Sequence, residues 1–82
     1  MMNLAQTAEL MISEDFKDRF KAEYYQTKIR YDKLHTMIVK YDAGCLEFEP
    51  TCPINVLKDQ AKYMGQYLYI LEMRAMMEGI KL

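Results

Sequence analysis

Glycine and proline are scarce in this 82-residue chain, with three and two copies, and tryptophan is absent. That leaves little material for the turns of an all-β fold. Histidine occurs once, as His35, and serine once, as Ser13. A general base needs an oriented partner, and His35 has no acid four residues away on a helix. No nucleophile elbow, phosphate loop, zinc-protease helix or dinucleotide fingerprint is present. These absences argue against an enzyme. The two cysteines, Cys45 and Cys52, do not match zinc-site spacing and read as reduced thiols, so neither a metal nor a cofactor is expected. No apolar run approaches the ~20 residues needed to span a bilayer. The first residues lack a basic stretch followed by an apolar one, so no signal peptide is expected and the chain reads as soluble and intracellular.

What is present is apolar and charged in globular proportion, 51% and 28%, with eight methionines, seven tyrosines and a net charge of −1. That balance excludes a polyanion binder driven by overall charge, leaves local patches open, and weighs against a DNA-duplex partner. The length fits one small domain, whose core is thin for a lone subunit.

Two helical patterns flank one break. Phe16, Phe20, Tyr24, Thr27, Tyr31, Leu34, Ile38 and Tyr41 recur at intervals of 4, 4, 3, 4, 3, 4 and 3, one stripe on one face. Ser13 before Glu14 and Asp15 reads as an N-cap, which places a helix at residues 14–41. Ile54, Leu57, Ala61, Met64, Leu68, Leu71 and Ala75 recur at 3, 4, 3, 4, 3 and 4 and place a second helix at residues 53–78. Between them, residues 42–52 break the period. Gly44 suits a position just past a helix end, and Pro50 disfavours helix at Glu49. Pro53 fits the first turn of the next helix, with Thr51 or Cys52 as cap. Leu46 and Phe48 are spaced to tuck under the turn. Segment 1–12 adds a short helix at about Leu4–Ile12, packing across the hairpin. The predicted fold is an all-α antiparallel hairpin with a short N-terminal helix, one domain over residues 1–82.

The second helix carries a surplus. Tyr63, Tyr67, Ile70, Met73 and Met77 lie outside its first stripe, and both stripes cannot face one partner helix. Burying such a side chain is worth about 1.5–3 kcal/mol, so leaving five in water is a substantial loss. A homo-oligomer built through that face is the expected resolution. Lys28, Arg30, Lys33 and Lys40 face Asp32 alone, a local positive surplus interleaved with Tyr24, Tyr25, Tyr31 and Tyr41. Cations suit phosphate oxygens and tyrosine rings suit bases. The acidic Asp42, Glu47 and Glu49 lie beside this patch and favour a compact phosphorylated ligand over a long duplex. Without a ligand, the same stripes describe a structural or regulatory coiled-coil module whose second face binds another protein.

Arg19-Phe20-x-x-Glu23-x3-Thr27-x2-Arg30-Tyr31-x-Lys33-Leu34-x2-Met37-Ile38 is similar to the first helix of the phage-encoded anti-CBASS cyclic-oligonucleotide sponges. These are small helical-hairpin proteins related to a hairpin in anti-Thoeris proteins. Val56-Leu57-x2-Gln60-x3-Met64-x2-Tyr67-x3-Leu71-x2-Arg74 resembles the family's second helix. The resemblance covers residues 19–75. It implies a hexamer that sequesters cyclic dinucleotides, such as cyclic GMP–AMP, and cyclic trinucleotides in the cytoplasm of an infected bacterial host, without cleaving them. It implies further that Tyr24 or Tyr25 stacks on a base, that Lys40 meets phosphate, and that Arg74 serves a trinucleotide pocket. Lys28 and Arg30 complete the expected ligand-binding set. Thr27, where the family has leucine, and the Cys-Pro turn depart from its pattern.

Overall fold

The computed structural model describes residues 2–82 and consists, over those residues, of three helices joined without strands. They are α1 (Leu4–Met11), α2 (Phe16–Asp42) and α3 (Ile54–Glu78). α2 and α3 pair as a hairpin, and α1 packs on α2 alone among the described residues. The expected packing of the N-terminal helix across both arms is therefore corrected. The molecule measures 43 × 25 × 19 Å with a radius of gyration of 14.8 Å. A compact chain of this length would have a radius of about 12 Å, so the hairpin is drawn out and keeps much apolar surface in water.

Each helix end has an identifiable cause. Asn3 and Gln6 form a capping box on α1: the Gln6 amide donates to Asn3 Oδ1 at 2.8 Å and the Asn3 amide to Gln6 Oε1 at 2.9 Å. The cap of α2 is Asp15, whose carboxylate accepts the Lys17 amide at 3.0 Å, and not the expected Ser13. A carboxylate satisfies the same orphan amide and also neutralises the positive end of the helix dipole. Ser13 instead braces the entry to the helix, accepting the Asp15 amide at 3.2 Å and donating to Asp18 Oδ2 at 2.8 Å. α3 has no side-chain cap; Pro53 occupies the cap position, in place of the expected Thr51 or Cys52, with its ring holding φ at −56°. α2 ends at left-handed Gly44 (φ +75°), where the Cys45 amide reaches back to the Lys40 carbonyl at 2.8 Å. Gly79 (φ +70°) ends α3 in the same way, with the Ile80 amide on the Ala75 carbonyl at 2.8 Å.

The core is concentrated at the end of the hairpin where α2 begins and α3 finishes. Phe20, Tyr24, Leu68, Leu71, Ala75 and Ile80 form one buried cluster, with Tyr25 and Tyr31 packed against it. On α3, Leu68, Leu71 and Ala75 are buried, whereas Ile54, Leu57, Ala61 and Met64, nearer the loop, are half-buried. Ile80 enters the core because the left-handed turn at Gly79 folds the tail back onto it, a contribution that helical periodicity does not reveal. At the loop end Leu46 is half-buried but Phe48 is exposed, so only one of the two expected plugs closes the turn. Mid-helix Gly65 lies against Tyr31: a Cβ there would meet the ring at 3.3 Å. The missing side chain makes room for the tyrosine between α2 and α3.

α1 docks through a polar residue, Thr7, with Leu10, three residues on, half-buried. Thr7 is buried, and its hydroxyl donates to the Leu4 carbonyl at 2.6 Å and accepts from Gln26 Nε2 of α2 at 3.2 Å. Leu4, Met11 and Ile12 are exposed. Small buried residues on each side, Thr7 and Ala22, suit a close approach of the two helices, and the Gln26 bond satisfies the buried hydroxyl.

Candidate ligand-binding surfaces of the hairpin

The fold separates two tyrosines adjacent in sequence. Tyr24 points into the core, and its hydroxyl donates to Glu72 Oε2 of α3 at 2.7 Å. Burial, followed by that bond to a carboxylate, raises its pKa well above the ordinary phenol value. Its ring is occupied by packing. Tyr25 is half-buried, edge-on to Tyr24 with centroids 5.2 Å apart and planes at 81°. Of the two candidates for base stacking, Tyr25 is the one with a ring partly open to solvent.

The basic residues of α2 do not form one patch. Lys28 pairs with Asp32 at 3.1 Å and lies 5.8 Å above the ring of Tyr31, which stacks on His35 at 5.8 Å and 13°. Arg30, two residues further on, is exposed and lines a cleft with Arg19, Glu23, Gln26, Thr27 and Met11. Lys40 is exposed in the last turn of α2, where a cation complements the helix dipole. Tyr25 and Lys40 are fifteen residues apart, hence ~22 Å along the axis but within ~60° of the same face. Within one protomer they cannot hold one compact ligand together.

Arg74 lies at the other end of the molecule from Lys40. Its guanidinium sits 4.9 Å above Phe20, and its Nε donates to Glu78 Oε2 at 2.9 Å, which holds it more firmly in the charged form. Beside it the Tyr67 hydroxyl donates to Glu23. That bond, more than burial, pushes the Tyr67 phenol up to about 12. Tyr24–Glu72 and Tyr67–Glu23 therefore clamp α2 and α3 reciprocally, each helix giving one tyrosine and one glutamate. Sequence reading missed this pair because a cross-helix register has no signature within either helix.

Tyr63, Tyr67, Ile70, Met73 and Met77 of α3 are exposed, as is the neighbouring Met76, at 88%. A second concavity, of about 560 Å³, lies at the hairpin turn and is lined by Tyr41, Leu46, Phe48, Pro50, Cys52 and Ile54 among others. Among the described residues no group of three or more His, Cys, Asp or Glu could hold a metal ion, and no helix is long and apolar enough to cross a membrane.

The fold and these surfaces define a small all-helical hairpin protein whose polar and aromatic groups are displayed along helix faces. Residues 14–77, most of the chain, match the Sequestin family, and the chain belongs to that family. The match takes in α2, the turn and nearly all of α3, and leaves α1 outside it. No curated protein and no solved structure matches the chain.

Proposed function

We propose that this chain is a non-catalytic sponge. It sequesters cyclic oligonucleotide second messengers, cyclic dinucleotides such as cyclic GMP–AMP and cyclic trinucleotides, and so blocks CBASS-type immunity in an infected bacterium. The name of the Sequestin family, which speaks of sequestration, supports a binding role. The observation that carries the ligand class is the placement of Tyr25 and Lys40 on one face of α2, four turns apart. A second copy running antiparallel sets its Lys40 opposite the first copy's Tyr25, and the reverse. A symmetric ligand then meets two rings and two ammonium groups. The exposed α3 face supplies apolar surface for assembling copies into an oligomer, a hexamer by the resemblance of the sequence, whose trinucleotide pocket would draw on Arg74.

The energetics are adequate. A sponge must bind stoichiometrically, and submicromolar affinity needs roughly 8–12 kcal/mol. Two base stacks at ~1–3 kcal/mol each and several charge-assisted phosphate bonds at ~1.5–3 kcal/mol each reach that range after the cost of association. Calorimetric titration with a panel of cyclic di- and trinucleotides tests the reading. At least one member should bind below micromolar and raise the melting temperature, because it stabilises only the folded state. Tyr25→Ala combined with Lys40→Ala should abolish cyclic dinucleotide binding while the free protein still melts cooperatively, at a temperature lowered by the lost Tyr25 packing. Absence of heat with every member would favour a protein-interaction module instead.

A further inference from the structure

The cleft between α1 and α2 is built differently from the surfaces above. It has a volume of about 270 Å³ and is lined by Met11, Arg19, Glu23, Gln26, Thr27 and Arg30. Arg19, Glu23, Gln26 and Arg30 fall at 0, 4, 7 and 11 along α2, one stripe of a helix. The two arginines stand ~16 Å apart at its ends, within ~20° of the same face. Arg19 is held beside the α1–α2 connection by donating from Nη1 to the Ser13 carbonyl at 2.7 Å. Arg30 makes no ion pair among the described residues. Between them, Gln26 spends its amide nitrogen on Thr7 and Met11 of α1, leaving its carbonyl oxygen as an acceptor. Glu23 is tied to Tyr67 through one oxygen, and the other remains. The thioether of Met11 forms a wall.

Each element of that lining selects a chemistry. Guanidinium forks at two ends suit two phosphates. The acceptors in the middle, Glu23 and Gln26, suit hydroxyl or amino donors and repel a phosphate placed between the arginines. A methionine wall suits the edge or face of an aromatic ring. The volume, just below the ~300–1,000 Å³ of most small-molecule sites, is on the scale of a single nucleotide. We propose that this cleft is a binding site, complete within one protomer, for a nucleotide-sized ligand carrying two phosphates on a hydroxylated core. It requires no self-association and is separate from the Tyr25 and Lys40 surface. α1, which completes it, lies outside the residues that match the family.

The probe is adenosine 3′,5′-bisphosphate, titrated calorimetrically at low ionic strength, with inorganic phosphate for comparison. The bisphosphate should bind at least tenfold more tightly than phosphate. Arg30→Gln, which breaks no bond of the fold, should weaken it about tenfold, as one lost charge-assisted contact predicts. Arg19→Gln should do the same. Glu23→Gln keeps an acceptor for Tyr67 but removes a charge, and should tighten binding several-fold, which a merely structural glutamate would not do. Lys62→Gln, on the exposed face of α3, should have no effect, which separates a site from general charge attraction. Tyr25→Ala with Lys40→Ala should also leave bisphosphate binding intact, so this site and the sponge reading fail independently. No heat at millimolar bisphosphate, equal losses in Arg30→Gln and Lys62→Gln, or weaker binding in Glu23→Gln would each overturn the proposal.

Discussion

Two phenol–carboxylate bonds link the arms of the hairpin, and they differ in setting. The Tyr24 hydroxyl is part-buried and reaches Glu72, while Tyr67 reaches Glu23 at the surface. Both phenols have raised pKa values, Tyr24 through burial first and its bond to Glu72 second, Tyr67 through its bond to Glu23 first and burial second. The consequence for stability has a definite sign. A raised folded pKa means that the unfolded chain releases its protons first, so stability falls as pH climbs past the ordinary phenol value near 10. Tyr67 contributes to that loss up to about 12. Thermal melts of Tyr67→Phe should therefore decline less steeply above pH 10 than those of the parent, and match it in slope near neutrality. Parallel slopes across the alkaline range would show that the bond to Glu23 does not persist in solution.

At the scale of elements, the hairpin depends on how closely α2 and α3 approach at Gly65. Glycine inside a helix costs about 1 kcal/mol relative to alanine, so its place there needs a reason. The reason is Tyr31, whose ring lies 3.3 Å from where a Cβ would stand. Gly65→Ala sets a propensity gain against a small displacement of the ring, and the two should nearly cancel. Gly65→Val adds branches that the ring cannot clear and should cost roughly 1–3 kcal/mol by overpacking. In a domain of this size that corresponds to a melting-temperature loss of at least ~4 °C, measurable by circular dichroism. A Gly65→Val protein as stable as the parent would mean that the helices part easily at this level.

For the whole molecule, the governing feature is apolar surface left in water. The elongated hairpin hides one stripe of α3 and exposes the other, with Ile70 52% exposed and Met73 44% exposed. Single exposed apolar side chains are ordinary, but a run of them along one helix face marks an interaction surface. If copies assemble through it, Ile70→Asp or Met73→Asp would bury an ion without a partner and split the assembly. Sedimentation velocity at micromolar concentration should show the parent as an oligomer and the variants as smaller species. A parent sedimenting as a lone subunit would remove the shared pocket that cyclic dinucleotide binding requires.

Much of the fold was legible in the sequence. The seven-member stripe from Ile54 to Ala75 is buried or half-buried at every position, because a 3-4 repeat maps directly onto one helix face. The surplus on α3 was legible for the same reason. Less of the candidate site was. Spacing placed Tyr24 in the core stripe and Tyr25 off it, but the choice of stacking ring stayed open until the pairing of α2 with α3 turned the first inward and left its neighbour at the margin. Arg30 joined Arg19 in a cleft rather than Lys28 in a patch because residues two apart on a helix point to nearly opposite sides, and because α1 docks on the Arg19 and Arg30 side. The docking of α1 through Thr7, the reciprocal tyrosine–glutamate clamp and the return of Ile80 into the core are all contacts between segments distant in sequence. Local periodicity fixes which residues share a face. Which face meets which is decided by the lowest free energy of the packed whole, and only the tertiary structure expresses it.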